Sequence, residues 1–223
     1  MKLLAMVLTA VLVNASVQAM ADDFSDGVAL YEQRDFRAAA AAFKKAADKG
    51  KSDAQFNLGL MYLKGEGVPQ DYAEAMALFE KAAEQDNVRA QVNLGRMYAK
   101  AKGVAPNYGK AVYWFNKAAD LGYADAQYSL GVLYVSGIGA PRDYDKARDL
   151  FTKAAEQKNA SAQYQLGLIY FKGKGVAVDK VQALKWLILA GDYDDAVTYR
   201  KYAESQMSKD EIEEAKAEVE KLK

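Results

Sequence analysis

Ala54, Leu58 and Tyr62 fall at i, i+4 and i+8, one apolar stripe on a helix running from about Ser52 to Lys64. Ala75, Phe79, Ala82 and Ala83 draw a second stripe, on a helix from about Tyr72 to Gln85. Between them lies a polar stretch, KGEGVPQDYAEA from Lys64 to Ala75, in which glycine and proline interrupt both periods. The whole pattern returns every 36 residues: Ala54-Gln55 as Ala90-Gln91, Ala126-Gln127 and Ala162-Gln163, Leu58-Gly59 as Leu94-Gly95, Leu130-Gly131 and Leu166-Gly167. Tyr62 recurs as Tyr98, Tyr134 and Tyr170, and Ala75 as Ala111, Ala147 and Ala183. A fixed period of this length predicts stacked copies of one helix pair, each too small to bury its own apolar face. Gly59 and its copies stand where bare backbone lets paired helices approach closely.

The glycine-containing stretch could instead be read as an anion cradle. Its spacing matches neither G-x-x-x-x-G-K-[ST] nor G-x-G-x-x-G, and it belongs to the repeat. The copies are KAKGVAPNYGKA, SGIGAPRDYDKA and KGKGVAVDKVQA; Gly67, Gly103, Gly139 and Gly175 persist while the lysine becomes Ser136 and the other glycine Ala101. All three prolines, Pro69, Pro106 and Pro141, lie in these copies. The stretch is helix-to-helix punctuation.

The ends depart from the template. Ala39, Phe43, Ala46 and Ala47 place a second-helix pattern upstream of the first full unit, with a tighter turn before it, since Leu30 precedes Ala39 by nine residues. Beyond Gly191 a short helix is expected from about Asp194, where Asp194 and Asp195 favour a helix start. Ser208 and Glu211 then form a capping box for a closing helix with a narrow stripe of Ile212, Ala215, Val219 and Leu222. That helix reads as an end cap, or as a docking helix for a partner. The expected divisions are a leader at 1–21, a hairpin at 22–51, four units at 52–87, 88–123, 124–159 and 160–195, and capping helices at 196–223.

Lys2, the uncharged run Leu3 to Val13 and Ala19-Met20-Ala21 have the layout of a cleavable export signal, cut after Ala21 or Ala19. No later stretch is apolar enough to span a bilayer, so no stable membrane insertion is expected after cleavage, and the expected location is the periplasm or outside the cell. The full chain has 30 basic and 30 acidic residues, and loss of Lys2 with the leader leaves a net charge of about −1. Such a balance offers no field for nucleic acid. Neither cysteine nor histidine occurs. Thiol nucleophiles, His-dependent triads, disulfides and thiolate or imidazole zinc sites are therefore excluded. No carboxylate pair is placed as acid and base, so no cofactor, metal or catalytic residue is expected.

The pattern A-x-x-x-L-G-x-x-Y-x-x-G-x-G-V, then A-x-x-x-F/W-x-x-A-A, resembles the Sel-one-like repeat, a relative of the tetratricopeptide repeat. Gly27, Leu30, Phe36, Ala39, Phe43 and Ala46 resemble a plain tetratricopeptide hairpin. The resemblance implies an all-α fold, a right-handed α-α superhelix of antiparallel helix pairs, and a non-enzymatic scaffold binding another protein in the bacterial envelope. It also implies two alternatives: a cell-wall or β-lactam hydrolase, against which the missing cysteines of the disulfide-rich branch argue, and a structural part of a flagellar motor or secretion complex. Trp114 and Trp186, at the positions of Leu78 and Leu150, are expected to pack between helices.

Advancing 100° per residue from Ala54 puts Leu58, Gly59 and Tyr62 on the packed side and leaves Asp53, Phe56, Leu60, Leu63 and Lys64 pointing elsewhere. The packed positions repeat, whereas the others drift to Arg89, Val92, Arg96, Ala99 and Lys100, to Asp125, Tyr128, Val132, Val135 and Ser136, and to Ser161, Tyr164, Leu168, Phe171 and Lys172. A shared architecture carrying one particular site should behave so. The expected groove, for an extended segment bearing carboxylates, comprises Phe56, Leu60, Lys64, Arg89, Arg96, Lys100, Tyr128, Tyr164, Phe171 and Lys172; arginine and aromatic residues are the types enriched at interface hot spots. The alternative is that Phe56, Tyr128 and Tyr164 wedge between neighbouring units and that the lysines are merely solvated.

Overall fold

The computed structural model describes residues 22–100, 103, 105–193 and 195–222. The leader, Ala101 and Asp194 lie outside them. The described residues form twelve helices and no strand, an all-α repeat fold. They are α1 Asp23–Glu32, α2 Phe36–Asp48, α3 Ser52–Lys64, α4 Tyr72–Ala83, α5 Val88–Lys100, α6 Tyr108–Asp120, α7 Ala124–Ser136, α8 Tyr144–Glu156, α9 Ala160–Lys172, α10 Lys180–Leu189, α11 Ala196–Glu204 and α12 Lys209–Glu220. Two compact units divide between Ala90 and Gln91, inside α5.

In the first unit α2 packs on α1 and α3, and α4 on α3. Ala39, Phe43, Ala46, Ala54, Leu58 and Met61 form its buried core. In the second unit α6 packs on α7, α7 on α8, α8 on α9 and α9 on α10; α11 and α12 both lie against α10. Its core includes Phe151, Ala154, Ala162, Leu166, Ile169 and Trp186. Trp186 is buried as expected of a packing residue, while Trp114 is half-buried, edge-on to the exposed Tyr113 at 5.0 Å.

The repeating residues each have a mechanical reason. Phe79, Phe115 and Phe151 of the second helices press on Gly59, Gly95 and Gly131, where an added Cβ would lie 2.6 to 2.8 Å from a ring carbon. Gln55, Gln127 and Gln163 are buried and donate through Nε2 to the carbonyls of Ala47, Ala119 and Ala155, at 3.4, 3.3 and 3.1 Å. Those carbonyls belong to the last turn of the preceding helix, where intrahelical donors run out. Asp71, Asn107, Asp143 and Asp179 cap the second helices by accepting from first-turn N–H groups. Gly65, Gly137 and Gly173 end the first helices in the left-handed conformation, with φ of 76°, 70° and 62°.

Two expectations need correction. The capping box of Ser208 and Glu211 is formed, but the stripe behind it narrows to Ala215 and Val219; Leu222 is 49% exposed. The second helix α4 stops at Ala83, before Gln85, where the chain turns through Asp86 at φ 59° and the Asn87 N–H donates back to the Ala82 carbonyl.

Candidate binding groove

Two of the predicted groove residues, Phe56 and Tyr164, are buried. Phe56 is buried, 5% exposed, its ring 5.8 Å from Phe79 and covered by the Arg89 guanidinium, 4.6 Å above it. Tyr164 is buried equally, against Tyr193 and Tyr199 at 5.9 and 6.1 Å. The helical wheel points both outward, and their burial instead fits the alternative that they wedge between units. The helical wheel misplaced them because a first helix in a stack also meets the first helix of the next repeat, and this position sits on that seam.

Phe171 and Lys172 share the seam with Tyr164. Phe171 lies 6.2 and 5.5 Å from the rings of Tyr199 and Tyr202, and Lys172 Nζ donates to the Tyr199 hydroxyl at 3.3 Å. α11 thus occupies the exposed side of α9, as a further first helix would. Arg89 and Arg96 are each engaged internally: Arg89 ion-pairs with Asp53 and Arg96 with Asp125, both at 2.9 Å. Lys64 lies 3.6 Å from Glu66, which also accepts from Tyr31 at 2.7 Å and raises that phenol above its usual range. Leu60 faces a separate hollow of about 260 Å³ with Val28, Tyr31, Phe43 and Asn57.

Three of the predicted residues do converge. Arg96 and Lys100 from α5 and Tyr128 from α7 line one open concavity of about 590 Å³. Val132 forms part of its apolar wall, and Asp125, Asn159 and Ser161 its polar end. Tyr128 is half-buried, its ring held 5.9 Å from Phe151. Ser129 and Ser136 bond back to carbonyls of their own helix. No cluster of three or more Asp or Glu side chains able to hold a metal occurs among the described residues. None of the described helices is long and apolar enough to cross a membrane.

The asparagine of this site was missed in the sequence reading. Asn159 Nδ2 donates to Asp125 Oδ1 at 3.1 Å, and Asn87 donates to Asp53 Oδ1 at the same distance. The signal lies in a 72-residue alternation: AADKGKSDAQ from Ala46 returns as AADLGYADAQ from Ala118, whereas AAEQDNVRAQ from Ala82 returns as AAEQKNASAQ from Ala154. Gln85 and Gln157 follow the same alternation, donating to the Oε1 atoms of Gln55 and Gln127 at 2.9 Å.

Comparison with known proteins places this architecture. The Sel1 repeat family model matches residues 52–87, 88–123, 124–159 and 160–192. A protective antigen present in uropathogenic Escherichia coli strains, which displays an SLR fold, is 35% identical with a TM-score of 0.77 over 83% of the chain. The chain spans only 40% of that protein's length. A Sel1 repeat protein from Oxalobacter formigenes is 30% identical with a TM-score of 0.73, covering 83% of each chain. A putative Sel1 repeat protein from Klebsiella pneumoniae is 26% identical with a TM-score of 0.53 over 84% of this chain and 96% of its own. No curated protein matches the chain significantly. Sel1 repeats are generally protein-interaction scaffolds. With four consecutive matches and relatives sharing both sequence and fold, the chain belongs to the Sel1 repeat family.

Proposed function

We propose that the protein is a non-catalytic scaffold of the bacterial cell envelope that holds an extended, carboxylate-bearing segment of a partner protein in the concavity between α5 and α7. The observation that supports this most is the convergence of Arg96, Lys100 and Tyr128 on one open hollow, while the repeating positions are sealed in the core. Lys100 is exposed at the rim, and Arg96 is 45% exposed in spite of its pair with Asp125. An exposed pair of this kind holds its arginine by no more than about 1 kcal/mol, so a partner carboxylate competes for it on even terms. Tyr128 and Val132 supply the apolar floor that such a segment needs to gain affinity beyond charge. The envelope location rests on the Lys2-to-Ala21 leader pattern, and the description of the E. coli relative as a protective antigen agrees with export.

The test is a photo-reactive residue at Val132 in intact cells, with and without Arg96→Glu and Lys100→Glu together. A specific adduct that disappears in the double variant, with thermal unfolding unchanged, is expected. An adduct of undiminished yield in a folded double variant removes the proposal.

A further inference from the structure

Gln55 and Gln127 each bridge the ends of two neighbouring second helices. Gln55 donates to the Ala47 carbonyl in α2 and accepts at Oε1 from Gln85, just past α4, at 2.9 Å. Gln127 donates to the Ala119 carbonyl in α6 and accepts from Gln157, just past α8, at the same distance. Gln163 makes the first half of this bridge and not the second. Its Nε2 donates to the Ala155 carbonyl in α8 at 3.1 Å, but among the described residues no donor reaches its Oε1. The cause is written in the sequence. Gln85 and Gln157 each stand 30 residues beyond the glutamine they serve, and the corresponding place for Gln163 is held by Tyr193, whose ring lies 5.9 Å from that of Tyr164.

Where the clip is absent the second unit opens. A hollow of about 550 Å³ lies between the end of α8 and α10, with Gln163 in its wall beside Trp186, Leu189 and Leu222. Gln163 is only 5% exposed, yet its oxygen is not sealed inside the core. An acceptor so deeply buried has given up most of its water without gaining a protein donor, which makes it receptive to one brought from outside.

We infer that this hollow binds a glutamine side chain of a partner protein, the class of ligand that Sel1 repeats generally bind, with its carboxamide donating to Gln163 Oε1 as Gln157 donates to Gln127. The inference goes beyond the proposed groove, stands on different residues and needs nothing from it. The wall selects a neutral donor on an apolar stem. Glu156 and Lys158 stand exposed at the rim with opposite charges, so the hollow offers no net field to hold a cation, and a cation set beside Trp186 would give up its water uncompensated. Serine and threonine are too short to carry a donor to a residue this deep, whereas the two methylenes of glutamine give the reach that the chain itself uses at Gln85 and Gln157. Residues flanking the glutamine then lie on Leu189 and Leu222.

The probe is N-acetyl-glutamine N-methylamide, titrated into the full chain while the Trp186 indole and Gln163 carboxamide signals are followed by NMR. Trp114, the other tryptophan, does not line the hollow and serves as internal reference. The methionine analogue, of matching length with no side-chain donor, is the control. Saturable shifts in the millimolar range are expected with the glutamine probe, with Trp114 unmoved and binding of the methionine probe weaker by about tenfold. Ala160→Leu, in the first turn of α9 at the wall of the hollow, fills it without entering the core and should abolish the shifts while urea unfolding is unchanged. Gln163→Met removes the acceptor and keeps the length of the side chain, so the two probes should then bind alike. No saturable shift at Trp186, an equal response to the methionine probe in the parent chain, or undiminished binding in folded Ala160→Leu overturns the inference. The comparison of probes on the parent chain decides it even where a variant fails to fold. The groove between α5 and α7 is judged separately, by the Val132 adduct.

Discussion

Gly131→Ala tests whether the helix pairs are held as closely as the structure places them. The added Cβ would lie 2.6 Å from Phe151 Cε1, 2.9 Å from Cδ1 and 3.0 Å from Cζ. Comfortable carbon separations are about 3.5–4.0 Å, so α7 or the ring must retreat by close to 1 Å. The ring has nowhere to go, since Phe151 is 0% exposed and lies against Tyr128. Overpacking of this kind costs about 1–3 kcal/mol, against a gain of about 1 kcal/mol from replacing glycine by alanine inside a helix. With three ring atoms in conflict at once, the upper part of that range applies and a net loss of about 1–2 kcal/mol is expected. Gly109 provides the opposite sign. It lies in the first turn of α6, where an added Cβ would meet only Asn107 Oδ1, at 3.5 Å, so Gly109→Ala should be neutral to stabilising by about 0.5–1 kcal/mol. Both tryptophans, Trp114 and Trp186, lie in the second unit and report its urea unfolding by fluorescence. The midpoint should fall by roughly 0.5 M or more for Gly131→Ala and hold or rise for Gly109→Ala. A Gly131→Ala protein as stable as the parent would refute the close approach, and with it the reason this glycine recurs.

Other perturbations separate the remaining devices. Gly139→Ala should cost more than Gly122→Ala: both have positive φ, 80° and 83°, but only at Gly139 would a Cβ strike backbone, 2.6 Å from the Tyr108 carbonyl oxygen, and equal thermal shifts would contradict this. Gln157→Ala removes the donor to buried Gln127 Oε1 and should cost about 1 kcal/mol in urea unfolding; a neutral result would show the pair idle. Lys51 and the Ser25 N–H hold the Asp22 carboxyl at about 2, below its ordinary 3.8. Because the folded value is the lower one, Asp22 supports the fold fully above pH ~4 and ceases to do so as pH falls through about 2. An NMR titration of Asp22 that does not move upward in Lys51→Ala would reject that cause.

Much of the fold was legible because packing acts on every copy alike. The bounds Ser52–Lys64 of α3 and the Ser208–Glu211 capping box follow from stripes and caps written locally in the chain. For Phe56 and Tyr164 the sequence left groove and wedge equally open, for a physical reason. A wheel drawn from one helix knows one packed side, whereas a stacked first helix has neighbours on several, and whether an outward residue is covered depends on a side chain 33 to 35 residues away: Arg89 over Phe56, Tyr199 over Tyr164. Asn159 was missed because it repeats at twice the period of the packed residues, and only comparison of alternate turns brings it out.

That longer period lets the array vary its seams without disturbing its core. Residues 53, 89, 125 and 161 are Asp, Arg, Asp and Ser, each second in its helix and at the seam between first helices. The core is indifferent to this position, because Ala54, Ala90, Ala126 and Ala162, next in sequence, are all fully buried and carry the packing. Side chains here decide only whether a seam is closed from within. In the first, Asp53 is paired with Arg89; in the second, where serine stands in place of that arginine, Asp125 is paired with Arg96 instead. Variation at this position therefore changes which charged groups a seam presents while the packing of the repeats is left intact.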